Sequence, residues 1–533
     1  MADCKHRNIC GRDADGNTGE ELCILHSKAH DKDKSAFDHA LVEHRAKNGD
    51  NYAYFVFPGH TNFANDEFSK KASFYHTEFV GDADFTKANF KGRGQFSHGI
   101  FAETVKFTGA RFEGKVEFTG AKFFKQADFV DAEFLQSVYF GANFLGATHF
   151  AATNFADRVH FGNSVFAMNA SFMDATFRGE SWFDSANFYG EAIFWQAKFE
   201  GVADFVWAMF AAEADFTEAT FLQKADFSEA LFAGKANFSS VQFNAETDFF
   251  GTQFKKEADF HFVEFKGITF FAGGPRKRTK GLHMRVVGRE GYPPSEWLLK
   301  IFSGVDTDFT DVIITPLDAL ILRDADLTKC QFLGTDLRKA EITAATWPQV
   351  GNRRLGVYDE IAPLEKDGKR EWHHIERLYR ELKQNYEDRR DYERARDFHY
   401  GEKEARRKQA KRLSGLWLWL NLYKWVAGYG ERWRLPLVWA AIVLLVSSAM
   451  CICLALHPDL GGLHPKLGGP MLSYVSTWDC LRSVFYSFRV MTLLKPEDLE
   501  AIRWAKLVYT ADSLLGPLLL GLFALALRQR LKR

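Results

Sequence analysis

Phenylalanine returns along the first half of the chain with a stride that alternates five and six residues. From Phe63 the series runs through Phe68, Phe74, Phe79, Phe85 and Phe90 to Phe134 and slips once through Tyr139 to Phe144. It resumes at Phe150 and continues through Phe155, Phe161 and Phe194 to Phe265. Two residues before most of these rings stands a small residue, as at Ala83, Ala127, Ala186 and Ala225, and the residue between is usually polar. Inward, outward, inward is the alternation of a strand. On a helix at about 100° per residue a step of five would carry the next ring roughly 140° away, so the rings would not share a face. A stride held from Phe63 to Phe265 predicts a solenoid in which each unit packs only on its neighbours.

This unit of Ala-polar-Phe plus two or three turn residues, kept from about Asn62 to Phe271, resembles the pentapeptide-repeat family in its phenylalanine-rich variant. The resemblance implies a right-handed quadrilateral β-helix of about 22 residues per turn, with about nine or ten coils stacked at about 4.8 Å into a rod of roughly 45 Å. Four Phe per coil would make a continuous aromatic column, each ring worth about 1.5–3 kcal/mol against exposure.

The rhythm of the segment 51–271 stops at Gly273-Gly274-Pro275, and the insertion 272–308 is basic from Arg276 to Arg289, a solvated loop or a contact for phosphate or anionic lipid. A stride of five returns over 309–350 as Val312, Leu317, Leu322, Leu327, Phe332, Leu337, Ile342 and Trp347, which looks like the leucine form of the repeat. Two more coils are expected there. Within 351–413, Ile375, Leu378, Tyr379, Leu382 and Tyr386, then Tyr392, Ala395 and Phe398, keep helical spacing with charges on the other faces, so paired amphipathic helices are predicted.

The last segment, 414–533, is of another kind. Leu435 to Leu456 and Leu507 to Leu527 are apolar enough to cross a bilayer core of about 30 Å as helices. Leu416, Trp417, Leu418, Trp419, Leu420, Tyr423 and Trp425 suit an interfacial segment, and the basic cluster from Arg406 to Arg412 precedes it. Lys424, Arg432 and Arg434 before the first span, and Arg528, Arg530, Lys532 and Arg533 after the second, predict two spans in a bacterial inner membrane with both termini cytoplasmic.

Between the spans, Trp478 to Asp498 resembles the pore loop of two-span channels of the potassium-channel superfamily, with Leu481 to Phe488 as pore helix and Thr492 where the filter begins. Where that family places its filter glycines and tyrosine, Lys495, Pro496 and Glu497 stand before Asp498, so potassium selectivity is not implied. Lys495, Glu497 and Asp498 are candidate mouth residues, and Gly516-Pro517 is a candidate gating hinge. Asp512, an ionisable group inside a span, should face the pore or a partner rather than lipid. The resemblance also implies a homotetramer. Gly428-Tyr429-Gly430 spells a filter-like string, but it precedes the first span and is not read as a filter.

Composition adds a few limits. The formal charge of −1 hides opposed regions, since 51–271 carries about ten more acidic than basic residues while the stretch before the spans is basic. Acidic rods of the repeat family imitate DNA towards topoisomerases, yet here the surplus reads as solvated surface and no nucleic-acid partner is expected. The seven cysteines make no disulfide framework. Four ligands in the leader 1–50, Cys4, Cys10, Cys23 and His26, have a spacing that suits a closed, structural zinc shell, with His6 and His30 as competitors. No nucleophile-base pair, open metal site or phosphate loop stands out, so an enzyme is not expected. The sequence therefore reads as a β-helix, an α-helical linker and a two-helix membrane domain with a re-entrant pore loop. Its expected function is a channel whose cytoplasmic rod senses or recruits an unidentified partner. The alternative is a scaffold that the spans merely tether.

Overall fold

Small and aromatic residues at alternate positions leave a strand about two residues before the chain must turn, and the chain does so at most repeats, with four-residue strands in later coils at Thr247–Phe250, Thr269–Ala272 and Leu320–Arg323. The computed structural model describes residues 4–14, 22–29, 31–275, 298–351, 353–364, 368–455, 463–465, 477–494 and 499–531, which divide into the units Met1–Lys369 and Arg370–Arg533. The first unit is a parallel β-solenoid of about 12 turns, with two-residue strands stacked into four sheets of ten to twelve strands each. Four sheets agree with a four-sided coil. Pairing advances by one coil at each step, as Phe57 to Phe79 to Phe101. Each coil donates backbone N–H groups to both neighbours, as Phe85 N–H does to Lys106 O of the next coil at 2.7 Å and Asn89 N–H to Asp66 O of the one before at 2.8 Å, so the ladders inside the rod are paired.

The rings form the core. Phe194 is fully buried, stacked on Phe172 at 4.8 Å and on Phe216 at 4.7 Å, and meets Phe205 edge-on at 5.6 Å. Offset stacks along the axis and T-shaped contacts across it are both favourable arrangements for aromatic quadrupoles. Alternate corners hold a residue in the left-handed region, as at Asn65, His76, Lys87 and His98 with φ between 53° and 60°. A type II turn needs that conformation at its second central residue. The N–H of Asn65 then reaches Thr86 O in the next coil at 2.9 Å, which offsets the strain.

Two expectations about register are corrected. Phe140, not Tyr139, takes the inward place, stacked on Phe118 at 5.1 Å and Phe161 at 4.5 Å, while Tyr139 lies outside against His160 at 4.4 Å. The missing residue comes out of the corner, where Gly141 alone, at φ 39°, replaces the pair Thr119-Gly120 of the coil before it. In the later coils Phe309 and Ile314, rather than Val312's successor Leu317, continue the columns, since Phe309 stacks on Phe260 at 4.9 Å and Ile314 pairs with Phe265. The strand Thr307–Asp308 pairs with Ala258–Asp259, so the coil after the insertion stacks on the one before it. An antiparallel pair, Gly274–Pro275 with Leu298–Leu299, closes the neck. The basic stretch Arg276 to Arg289 lies outside the described residues.

Both ends of the stack are covered. Helix α1, Lys34–Asn48, starts at Asp33, whose carboxylate accepts the N–H groups of Ser35 and Ala36, and lays Phe37 on Phe57 and His44 on Phe55. At the far end the buried Asp359 accepts the N–H groups of Phe332 at 2.9 Å and Leu333 at 3.0 Å, and Arg353 pairs with Glu360 at 2.6 Å in the interior. Terminal covers of this kind are what a solenoid requires.

On the outer face Asp204, Asp226 and Asp248 succeed one another in neighbouring coils. Burial first, and then the charge of Asp226, raises the carboxyls of Asp204 and Asp248 to about 6. A folded pKa above the unfolded value of about 3.9 means that the folded chain binds more protons between roughly pH 4 and 6, so the rod gains stability as pH falls through 6. Asp248→Asn keeps an acceptor for the N–H of Phe250 and removes the charge. It is expected to stabilise the rod by about 1–2 kcal/mol at pH 7.5 and to flatten the pH dependence. A lower melting temperature at pH 7.5 would contradict the assignment.

In the second unit, α2 (Trp372–Asp388) and α3 (Tyr392–Gln409) form a hairpin around Arg390, at φ 61°. Ile375, Leu378, Tyr379, Leu382 and Tyr386 are buried against Ala395 and Phe398, but Tyr392 stands 38% exposed, outside the helical stripe assigned to it. Helices α4 (Gly415–Ala427), α5 (Arg434–Ala455), α6 (Thr477–Met491) and α7 (Trp504–Leu531) come next, and the last three pack on one another.

Candidate metal centre and apolar helices

The spacing of Cys4, Cys10, Cys23 and His26 closes into one cluster. All four are buried, and their ligand atoms lie within 4.8 Å of one another. A helical turn at Arg7–Cys10 presents Cys10, and a turn at Cys23 to Ser27 presents Cys23 and His26 together. His26 Nδ1 is 3.2 Å from Cys23 Sγ and 3.6 Å from Cys4 Sγ. For tetrahedral zinc with Zn–S of about 2.3 Å, two sulfurs lie roughly 3.8 Å apart. Cys10 and Cys23 are 3.7 Å apart. The Cys23 N–H points at Cys4 Sγ at 3.3 Å, which suits a thiolate there, and the hydrogen bond from Cys23 holds the Cys10 thiol well below its ordinary range. His6 is not in the cluster but stacks between His26 at 4.8 Å and Tyr54 at 4.5 Å, and His30 lies outside the described residues. His26 meets the Phe55 ring edge-on at 4.9 Å, and Leu25 O accepts the N–H of Val56, so the cluster is built onto the first coil. The donor set fits a structural metal ion. A closed shell of three thiolates and one imidazole leaves no open position for catalysis.

Among the described residues one helix, Trp504–Arg528 within α7, is long and apolar enough to cross a membrane. The segments Gly415–Gly430 and Arg434–Met450 meet that test only together, across a bend of 119°. That bend is made by the filter-like string, since Gly428, Tyr429 and Gly430 are all left-handed, at φ 53°, 59° and 85°. The Tyr429 hydroxyl donates to Glu404 Oε1 at 2.7 Å, and Lys424 and Arg407 reach the same carboxylate at 3.0 and 2.9 Å. Burial alone would raise the Glu404 carboxyl, but Arg407, Tyr429 and Lys424 outweigh it and hold it down to about 2. This buried clasp ties α3 to the corner between α4 and α5, and nothing in the charged run around Glu404 marks it in advance.

The candidate pore residues part company. Lys495, Glu497 and Asp498 lie outside the described residues. The Thr492 hydroxyl is turned back onto Phe488 O and Arg489 O at the end of α6. Asp512 is buried and accepts a hydrogen bond from Ser447 of α5 at 2.5 Å. Helix α7 runs unbroken through Pro517, and a Cβ added at Gly516 would stand 2.4 Å from Met491 O, so the glycine lets the end of α6 seat on α7.

Residues 161–206 fit the family model of pentapeptide repeats in nine copies. The chain carries pentapeptide repeats. The matched stretch lies in the middle of the rod, within the run of Phe residues that keeps the alternating stride from Phe150 to Phe265. No curated relative and no solved structure matches the chain.

Proposed function

We propose that this chain is a channel of a bacterial inner membrane, whose pentapeptide rod is a cytoplasmic arm that senses or recruits a partner. The observation that supports it most is the packing of the second unit. Helices α5 and α7 pack together with the shorter α6 against both, and the end of α6 rests on Gly516. That is the arrangement a two-span unit with a re-entrant pore helix would need. On this reading α5 and α7 span the membrane, Arg432 before α5, Arg434 at its first residue and Arg528 in the last turn of α7 stay cytoplasmic, and copies of the chain assemble, as a tetramer, around a shared pore. Helix α4 lies in the interface, with Leu418, Trp419, Leu422 and Trp425 exposed by 52–68% and the basic cluster of Arg406 to Arg412 towards anionic headgroups. The Cys4, Cys10, Cys23 and His26 cluster holds a structural zinc ion that anchors the N-terminal segment to the rod, and the chain is not an enzyme.

A tethered scaffold is the second reading, and one observation favours it. Phe124, Leu145, Met168 and Tyr189 are 40–56% exposed on successive coils of the rod, an apolar stripe that a protein partner would cover. Purified chain in a planar bilayer with symmetric salt separates the two readings. Discrete currents are expected from the channel, and silence from well-folded oligomers would leave the scaffold.

A further inference from the structure

A cavity of about 340 Å³ opens where the start of α5 meets α3 and the last turns of α7, and three arginines line it. Arg396 comes from α3, Arg432 from the bend before α5 and Arg434 from the first residue of α5. Against them stands one lining carboxylate, Glu431, 4.0 Å from Arg396. Arg432 and Arg434 form no ion pair among the described residues. Both are nonetheless held in place by packing. A Cβ added at Gly428 would stand 2.8 Å from Arg432 Cγ, so the stem of Arg432 lies across that glycine. Arg434 Cζ lies over the Trp433 ring, 5.3 Å from its centroid, and Trp433 in turn meets Phe523 of α7 at 6.2 Å. With Leu435 and Ala526 completing the lining, the cavity combines a surplus of positive charge with apolar surface.

Arginine keeps its charge at any pH the protein meets, is weakly hydrated, and offers a fork of N–H donors that matches the oxygens of a phosphate. The volume falls within the range of small-molecule sites, about 300–1,000 Å³. On the membrane reading given above, on which this inference rests, the cavity lies at the cytoplasmic leaflet, where phosphate headgroups carry the negative surface charge. A free inorganic anion would meet the arginines but leave Trp433, Leu435 and Ala526 uncovered. A phospholipid brings glycerol and acyl carbons together with its phosphate. We infer that Arg396, Arg432 and Arg434 bind the phosphate of one anionic phospholipid in this cavity. Because Arg396 belongs to α3 and the other two to the entry of α5, the bound headgroup would tie the helical hairpin to the spans. This is a fitted site for a single lipid, distinct from the diffuse attraction of the cluster Arg406 to Arg412.

The full-length protein in a neutral detergent tests this by thermal unfolding at constant ionic strength during titration with phosphatidylglycerol, phosphatidylcholine of the same acyl chains, or inorganic phosphate. A saturable rise of several degrees is expected from phosphatidylglycerol and little from the other two. Arg432→Gln with Arg434→Gln should raise the midpoint concentration of that response by about tenfold. Lys70→Gln with Lys71→Gln, an equal loss of charge on the rod, should leave the midpoint where it is. If the arginine pair does not fold, Arg434→Gln alone decides, and an unchanged midpoint overturns the site. Equal responses to phosphatidylglycerol and phosphatidylcholine also overturn it, and inorganic phosphate acting as strongly as phosphatidylglycerol overturns the lipid as its occupant. Carbonate extraction of the chain from vesicles reads the membrane assignment separately. A chain washed out refutes the spans, whereas a chain that is retained but shows no preference for phosphatidylglycerol refutes the site alone.

Discussion

Phe194→Asp is expected to break the rod at its middle. The ring is fully buried between Phe172 and Phe216, and the replacement removes both stacks and places a carboxylate among aromatic rings. Truncating a buried Phe costs about 3–5 kcal/mol, and an unmatched polar group adds about 1–3 more. In a solenoid each coil is held by its two neighbours, so the loss falls on the interfaces between the coils of Phe172, Phe194 and Phe216 and splits one cooperative transition into two. Thermal unfolding monitored by circular dichroism should show a fall of well over ten degrees or a second, lower transition. Phe194→Leu, which keeps an apolar side chain, should cost only about 1–2 kcal/mol. A melting curve for Phe194→Asp that overlays the parent would mean the inward register is wrong.

The second large effect is expected at the N-terminal end of the same unit. In the proposed reading zinc binds the buried Cys4, Cys10, Cys23 and His26, and apparent zinc-binding free energies in small Cys/His sites are about 10–16 kcal/mol at neutral pH. Elemental analysis of the purified chain should give about one zinc per chain, and Cys10→Ala with Cys23→Ala should give none. Because the cluster is built onto the first coil, through Phe55 and Val56, loss of the metal should speed amide exchange in α1 and the first coils while the coils around Phe194 stay protected. A strong chelator acting on the parent protein should reproduce the pattern. Unaltered zinc in the double variant would remove these residues from the site.

Most of the rod was legible in the chain because its contacts repeat. From Phe63 to Phe249 each inward Phe meets the Phe one coil on, so a local alternation of small, polar and aromatic positions also specifies the long-range partner. Where the register changes, the signal was weaker. Tyr139 and Phe140 are adjacent aromatics, and only the shortened corner at Gly141 selects the second for the core. Leu317 lost its expected place in the same way, because the stride of five does not hold across the turn that brings Ile314 beneath Phe265. The cluster of Cys4, Cys10, Cys23 and His26 was readable because thiols and imidazole at that spacing in a polar segment have few other uses.

The amino-acid order by itself therefore determined the coil, with its stride and its inward residues, the four clustered thiol and imidazole residues at its start, and the helical and apolar character of the segments beyond it. The tertiary structure decided how these parts are closed and joined. Nothing periodic marks α1 as the lid of the first coil, Glu404 as the partner of Tyr429, or Ser447 and Ser487 as the groups that meet Asp512. A repeated contact is encoded many times over at one spacing, and a pattern reveals it. A contact made once, between residues brought together only by the packing of helices, leaves no period along the chain and can be seen only in the fold.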